Sequence, residues 1–166
     1  MDSNLHQFLR DLHNVMRWVI LIAGTSALYI SYRGWFGKHR WTETARRTAL
    51  FFSTALHLQL IVAIGLYSTS PLIETAWQDL GMAMGDRNQR FFSIEHPIQM
   101  ILAILVATVG YGLAKRATSD SKSYRSAAIA FTITTILIAA AIPWPVSSHP
   151  RPLLPQLEWL QKGVVK

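Results

Sequence analysis

The sequence predicts an all-α protein, an integral membrane four-helix bundle with up-down-up-down topology. Hydrophobic residues make up 51% of the 166 residues and mean hydropathy is positive. Charged residues make up only 15%, against roughly 25% in ordinary soluble domains. The apolar residues gather in four stretches, each near the ~20 residues that cross a bilayer. Basic residues concentrate between the first and second stretches and between the third and fourth.

Composition also excludes several classes of protein. The chain has no cysteine, which excludes disulfides, cysteine-ligated zinc, iron–sulfur clusters and thioether-attached haem. The high hydrophobic fraction excludes a disordered chain. A net charge of +7 could suggest nucleic acid. However, the basic residues lie in short runs between apolar stretches, which is typical of membrane topology signals, so we expect no nucleic-acid partner.

Four helices are predicted, at about residues 13–32, 48–68, 96–114 and 126–142. Their apolar runs are almost unbroken, whereas a soluble amphipathic helix would carry a polar stripe. Because Asp2 precedes a long apolar run that lacks a small-x-small cleavage site, we expect a retained first helix rather than a cleavable signal peptide. The transmembrane domain then covers residues 1–145, and residues 146–166 form a tail on the outer side.

Prolines mark the ends of two predicted helices. Pro71 should end the second helix, and the mixed polarity of residues 72–80 predicts a short interfacial helix after it. The run Pro143-Trp144-Pro145 predicts a firm stop for the fourth helix, with a tryptophan at the membrane interface.

Cation density predicts the orientation of the chain. Residues 33–47 and 115–125 hold nine lysines and arginines in 26 residues, whereas the 60 residues expected on the other side hold six. The positive-inside rule therefore places both basic connections in the cytoplasm and both termini on the outer, periplasmic side. The expected location is the bacterial inner (cytoplasmic) membrane, as a multi-pass protein.

Three of the six histidines, His13, His57 and His96, lie in or at predicted membrane helices. Ionisable groups within a bilayer are costly, so each one needs an explanation. His57 lies near the middle of the second helix, where a hydrogen bond to a serine or threonine across the bundle, a metal or haem ligand, and a proton carrier are all open. His96 precedes Pro97, which suits the first turn of a helix. The remaining histidines are expected outside the hydrocarbon region: His6, His39 and His149.

Depth in the membrane predicts which histidines meet. His13 and His96 both lie near the outer boundary, which suits a pair of axial ligands. His57 lies about 16 Å below the outer end of its helix, so it becomes a partner only if the first and third helices extend further outward. Arg17 lies one turn below His13 on the same face. A buried Arg17 would need an anion such as Glu95 or a haem propionate, and snorkelling is the alternative.

A stripe of small and weakly polar residues follows His96 at spacings of three and four. Two interpretations remain open for it, which are tight helix packing and a flat wall against which a porphyrin lies. The stripe consists of Gln99, Met100, Ala103, Ala107 and Gly110.

Several short elements together resemble small four-helix bacterial membrane proteins usually called cytochrome-b-like. The resemblance covers about residues 13–145. It implies haem b held non-covalently in a helical bundle and electron transfer as the role, but it does not identify a redox partner. For an electron-transfer role we expect quinone or a redox protein as the partner. The resemblance also implies His13, His57 and His96 as candidate haem-iron ligands and no catalytic residue. The elements are His13-x-x-x-Arg17-Trp18, His57-x-Gln59, Ser70-Pro71, Arg90-Phe91-Phe92-x-x-Glu95-His96-Pro97 and Ile142-Pro143-Trp144-Pro145.

The arginines of these elements complete the predicted site. Arg17 and Arg90 would pair with the haem propionates, because a guanidinium matches a carboxylate in bidentate fashion. Two other classes of function remain open. One is a haem-free structural subunit, which would assemble into a larger membrane complex or a homo-oligomer. The other is a proton- or metal-ion-handling protein that uses His57 and Glu95.

Overall fold

The computed structural model describes residues 3–144 and residue 147. The predicted tail at residues 146–166, with His149, therefore lies outside the described residues except for Ser147. Within the described part, every regular element is helical. The elements are α1 (Ser3–Phe36), α2 (Glu43–Ser68), α3 (Pro71–Gln78), α4 (Leu80–Gly85), α5 (Arg87–Arg90), a π-helical turn (Phe91–Glu95), α6 (His96–Arg116) and α7 (Asp120–Ala141).

Four helical stretches of the described chain are long and apolar enough to cross a membrane. They measure 33, 26, 30 and 22 residues, against the ~20 that a bilayer requires. The prediction of an all-α, multi-pass membrane protein is confirmed at this level. The stretches are Asn4–Phe36, Glu43–Ser68, Arg87–Arg116 and Asp120–Ala141.

The helices begin earlier than their apolar runs do. The first begins at Ser3 rather than residue 13, because residues 3–12 contain no glycine or proline to stop it. The second begins at Glu43 rather than residue 48, since the Thr42 hydroxyl accepts a hydrogen bond from the Ala45 amide at 3.1 Å. α2 ends at Ser68, before Pro71, and the predicted short helix after it is present as α3.

The chain divides into two compact units. Of the described residues, unit 1 contains 3–17, 58–98, 142–144 and 147, and unit 2 contains 18–57 and 99–141. His13 and His96 belong to unit 1, and His57 belongs to unit 2.

The core of unit 2 is built from aromatic rings and small residues. Phe52 and Phe131 are fully buried and pack edge to face, with ring centroids 5.2 Å apart. α6 and α7 approach so closely at Gly110 that a Cβ there would lie 2.0 Å from the Cβ of Ala130. Ala103 and Ala107 of the predicted stripe are buried on the same helix. These contacts favour the packing interpretation of the stripe over a porphyrin wall.

The basic connection after α1 is fixed to the start of α7. The Tyr124 hydroxyl donates to the Arg40 carbonyl at 2.9 Å, and its ring packs on Trp41 with centroids 4.7 Å apart. The Trp41 amide donates to the Asp120 carboxylate at 2.9 Å. The absence of a side chain at Gly34 leaves room for the Tyr124 ring, because a Cβ at Gly34 would lie 2.2 Å from that ring.

Candidate functional site

Unit 1 brings His13 and His96 together. The centroids of the two imidazoles lie 6.3 Å apart, and the ring planes are inclined by 63°. His13 lies ten residues after the start of α1, and His96 lies nine residues after Arg87, where the third membrane-spanning stretch begins. At ~1.5 Å per residue both rings lie about 14 Å from the starts of their helical stretches. The expectation that His13 stands at the end of its helix is therefore wrong, because α1 begins ten residues earlier. His96 is the first residue of α6, as expected, but further helical turns precede it from Arg87.

One polar atom of the pair has no partner. The Nδ1 atom of His13 is buried without a hydrogen-bond acceptor or donor in the described structure. Buried polar atoms are normally hydrogen-bonded, so each exception calls for an explanation. Two phenylalanines pack beside the other ring, with the Phe91 and Phe92 centroids 5.8 and 6.5 Å from that of His96.

The regular backbone hydrogen bonding of the helix is interrupted immediately before His96, and a side chain from another helix bonds the backbone there. Pro97 has no N–H, so the carbonyl four residues earlier, that of Ser93, lacks its usual helical donor. The Tyr67 hydroxyl of α2 donates to that carbonyl at 2.8 Å, and the Trp77 indole N–H donates to the Tyr67 oxygen at 3.0 Å. The π-helical turn Phe91–Glu95 lies at the same place, with the His96 amide bonded to the Phe91 carbonyl. Such π turns are often found at functional sites.

α2 also contacts the backbone beside His13. The side-chain N–H of Gln59 donates to the His13 carbonyl at 2.9 Å, and the Gln59 Oε1 atom is buried without a partner. One turn and a half further along α2, a Cβ at Gly65 would lie 3.3 Å from the Leu9 side chain. The C-terminal half of α2 is therefore packed along the segment of α1 that carries His13.

The two arginines of the predicted site have protein partners. Arg17 donates to the side-chain oxygen of Asn14. Arg90 forms an ion pair with Glu95 at 2.7 Å and donates to the Met84 carbonyl at 2.9 Å. Glu95, predicted as a candidate partner of Arg17, is thus bound to Arg90. This pair joins the short helix α4 to the turn immediately before His96.

The contacts of His57 match one of the alternatives left open by the sequence. Its Nδ1 atom lies 2.7 Å from the Ser53 carbonyl, and its Nε2 atom lies 3.3 Å from the Thr108 hydroxyl. The Thr108 contact joins α2 to α6 within unit 2, as expected for a polar bond between membrane helices. The His57 and Thr108 side chains are both exposed on the surface of the described structure.

Sequence reasoning missed the burial of Asp11 and the contact partner of His6, both in unit 1. Asp11 is 5% exposed, with the nearest cation, Arg10, at 3.8 Å and with its Oδ2 atom unpartnered. His6, expected to be interfacial, lies 3.2 Å from the Thr69 hydroxyl. An aspartate in a polar lead-in gives no sequence signal of burial, since its burial comes from the fold.

Metal-binding potential is limited to small ligand sets. In the part of the chain that the structure describes, no three His, Asp or Glu side chains come together as a metal-binding group. His13 and His96 form a set of two, which is the number of axial ligands that a bis-histidine haem takes.

Comparisons with family models, curated proteins and solved structures found no match for this chain.

Proposed function

We propose that this chain is a b-type cytochrome-like membrane protein that binds non-covalent haem b and relays electrons. The observation that carries the proposal is the pairing of His13 and His96 in unit 1, with ring centroids 6.3 Å apart. Both residues lie on helical stretches that are able to span a membrane.

The ring separation supports a shared metal. Metal–imidazole bonds are about 2 Å long, so two imidazoles about 6 Å apart at their centroids would be close enough to hold one metal ion between them. The unsatisfied Nδ1 of His13 also supports the proposal, because a bound metal would give this buried nitrogen the partner that it lacks. The donor set of this chain therefore fits a haem iron.

Each residue has a defined part in the proposed site. His13 and His96 would hold the iron through neutral imidazole nitrogens. Arg17 and Arg90 offer guanidinium groups to the propionates. The packing of Phe91 and Phe92 beside His96 excludes water and favours a low local dielectric. When bound, haem b supplies a one-electron Fe(III)/Fe(II) couple.

His57 is the weaker ligand candidate in this proposal. Both of its ring nitrogens already have polar neighbours, Ser53 and Thr108, so its observed contacts support a helix-linking role. Quinone or a redox protein remains the proposed electron partner.

The proposed orientation has both termini in the periplasm and the bundle running up-down-up-down through the bacterial inner membrane. The cation-rich connections support it through the positive-inside rule. A periplasmic reporter fused after Lys166 should be active, and a cytoplasmic reporter inserted near His39 should be active. The reverse pattern would overturn this orientation without bearing on haem.

Purified protein from haem-sufficient cells tests the haem proposal directly. We expect a Soret band that shifts on dithionite reduction, and a pyridine haemochrome assay should identify haem b. His13→Ala and His96→Ala should each lower haem occupancy or convert a low-spin spectrum to high-spin, since alanine supplies no ligand nitrogen.

Two other histidines supply matched controls. His57→Ala removes a membrane histidine outside the proposed pair, and His39→Ala removes an exposed histidine of the connection after α1. Both variants should keep the wild-type spectrum. A colourless protein that also fails haem reconstitution would overturn the proposal and favour a haem-free structural subunit. A spectrum that responds to His57 and to neither His13 nor His96 would overturn the assigned ligand pair.

A further inference from the structure

The contact between α1 and α7 in unit 2 borders an exposed face that is cationic at one end and apolar along the rest of its length. Tyr32 and Thr132 join the two helices through their hydroxyls at 2.8 Å, and the Arg125 guanidinium lies 6.0 Å from the centre of the Trp35 ring. The helices therefore run antiparallel, since the residues later in α1 contact the residues earlier in α7. Phe36, at the end of α1, is 72% exposed beside this contact.

α7 presents cations first and then aliphatic side chains along this face. Lys122 and Arg125 are exposed at its start, one turn apart. They are followed at helical spacing by Ile129, Ile133 and Ile136, which are 43%, 45% and 62% exposed. Cations at the end of an apolar, membrane-exposed stripe match the layout of a phospholipid, with its charged headgroup above its acyl chains.

α1 continues the face where the isoleucine stripe of α7 ends. Counted from the Tyr32–Thr132 and Trp35–Arg125 contacts, Ile136 lies between the levels of residues 24 and 28, and an open apolar groove on α1 covers these levels and continues beyond them. The groove is lined by Trp18, Leu21, Ile22, Thr25 and Ser26. The 13 residues from Trp35 to Ile22 span about 20 Å along α1. This length exceeds half of the ~30 Å hydrocarbon core, so it accommodates an acyl chain that fills one leaflet together with its glycerol link.

The charge balance of unit 2 selects an anionic lipid. Its basic connections and adjoining helix ends carry nine lysines and arginines and two acids, Glu43 and Asp120. Both acids have partners within the protein, since Glu43 is bound by Arg46 and Arg47, and Asp120 accepts from the Trp41 amide. Lys122 and Arg125 lie outside these pairs and are exposed, where a lipid phosphate can meet them.

We propose that the α1–α7 face of unit 2 is a binding site for an anionic phospholipid, whose phosphate lies against Arg125 and Lys122 and whose acyl chain follows Ile129, Ile133 and Ile136 into the α1 groove. Arg125 is positioned for this role by Trp35. The site is independent of haem, so it stands whether or not the proposed function does.

Lipid retention tests the proposal. Detergent-purified full-length protein is incubated with phosphatidylglycerol or with phosphatidylcholine of the same acyl chains, and bound lipids are counted by native mass spectrometry. Wild type should retain phosphatidylglycerol in preference. Because a cation near an anionic surface contributes about fivefold in affinity, the double variant Arg125→Gln/Lys122→Gln should lose on the order of tenfold or more.

The control variant removes the same number of positive charges, two, from other residues at the same end of unit 2. Lys38 and Arg40 are exposed on the connection after α1, and Lys38→Gln/Arg40→Gln should keep preferential retention. Ile136→Trp, which obstructs the acyl path without changing charge, should lower phosphatidylglycerol retention. Circular dichroism identifies variants that fail to fold, and Lys122→Gln alone then replaces the double variant.

Three results would overturn the site. The first is equal retention of the two lipids by wild type. The second is an equal loss in the α7 variant and the connection control, which would mean that only general charge matters. The third is a thermal stabilisation by inorganic phosphate alone that matches the stabilisation by phosphatidylglycerol, which would mean that the acyl chain contributes nothing.

Discussion

Gly110 tests the close contact between α6 and α7 most sharply. In Gly110→Ala the new Cβ would lie 2.0 Å from the Ala130 Cβ, so one of the two helices must move. Overpacking of this kind costs about 1–3 kcal/mol. The alanine also gains about 1 kcal/mol in helix propensity, so the net destabilisation should reach at most about 2 kcal/mol.

Gly112 isolates the steric contribution. A Cβ at Gly112 meets nothing within 4 Å, so Gly112→Ala has the same propensity gain without the clash and should stabilise the protein by up to about 1 kcal/mol. The difference between the two variants is then the steric cost alone, about 1–3 kcal/mol. SDS-induced unfolding in mixed micelles, followed by circular dichroism, measures both free energies of unfolding.

A reciprocal exchange completes the experiment. In Gly110→Ala/Ala130→Gly the methyl group moves from α7 to α6, so the close approach is preserved and most of the lost stability should return. Equal stabilities for the Gly110 and Gly112 variants, or no recovery in the exchange, would refute the proposed packing of α6 on α7.

Two further contacts give measurable predictions. A double-mutant cycle with His57→Leu and Thr108→Val should give a coupling energy near the average of about 0.6 kcal/mol for hydrogen bonds between membrane helices, and zero coupling would refute the His57–Thr108 bond. Arg90→Gln should lower the free energy of unfolding by no more than about 1 kcal/mol, because its ion pair with Glu95 is partly exposed. A loss of several kcal/mol would contradict that estimate, and a selective loss of haem retention would support the propionate role.

The number and order of the long helices were predictable because hydropathy and length alone decide them. The helix starts were not, since polar residues end an apolar run without ending a helix. Glu43, Arg46 and Arg47 illustrate this point. They were assigned to a basic connection, yet they form the first turns of α2, with ion pairs between Glu43 and both arginines at 2.7 Å.

The candidate site was predictable only in part. Similar depth predicted that His13 and His96 could meet, and the structure brings their rings together. A hydrogen bond from His57 to a serine or threonine was one of three interpretations left open by the sequence, and the choice of Thr108 depends on how α2 and α6 face each other. Asp11 was missed because burial of a polar residue within an apolar fold leaves no local pattern.

The π-helical turn before His96 has no sequence signature other than Pro97. A final prediction follows from the N–H that Pro97 lacks. Pro97 leaves the Ser93 carbonyl without a backbone donor, and the Tyr67 hydroxyl donates to it at 2.8 Å. Tyr67→Phe should therefore cost about 1–3 kcal/mol, the usual cost of a buried acceptor left unsatisfied.

In Pro97→Ala a backbone N–H returns at position 97 and can donate to the same Ser93 carbonyl, as in a regular helix. The hydroxyl of Tyr67 is then redundant, so Tyr67→Phe should cost clearly less in the Pro97→Ala background than in wild type. SDS unfolding of the four proteins in the cycle measures this coupling. An identical cost in both backgrounds would show that Tyr67 does not compensate for the proline, and the explanation for the placement of His96 would fail with it.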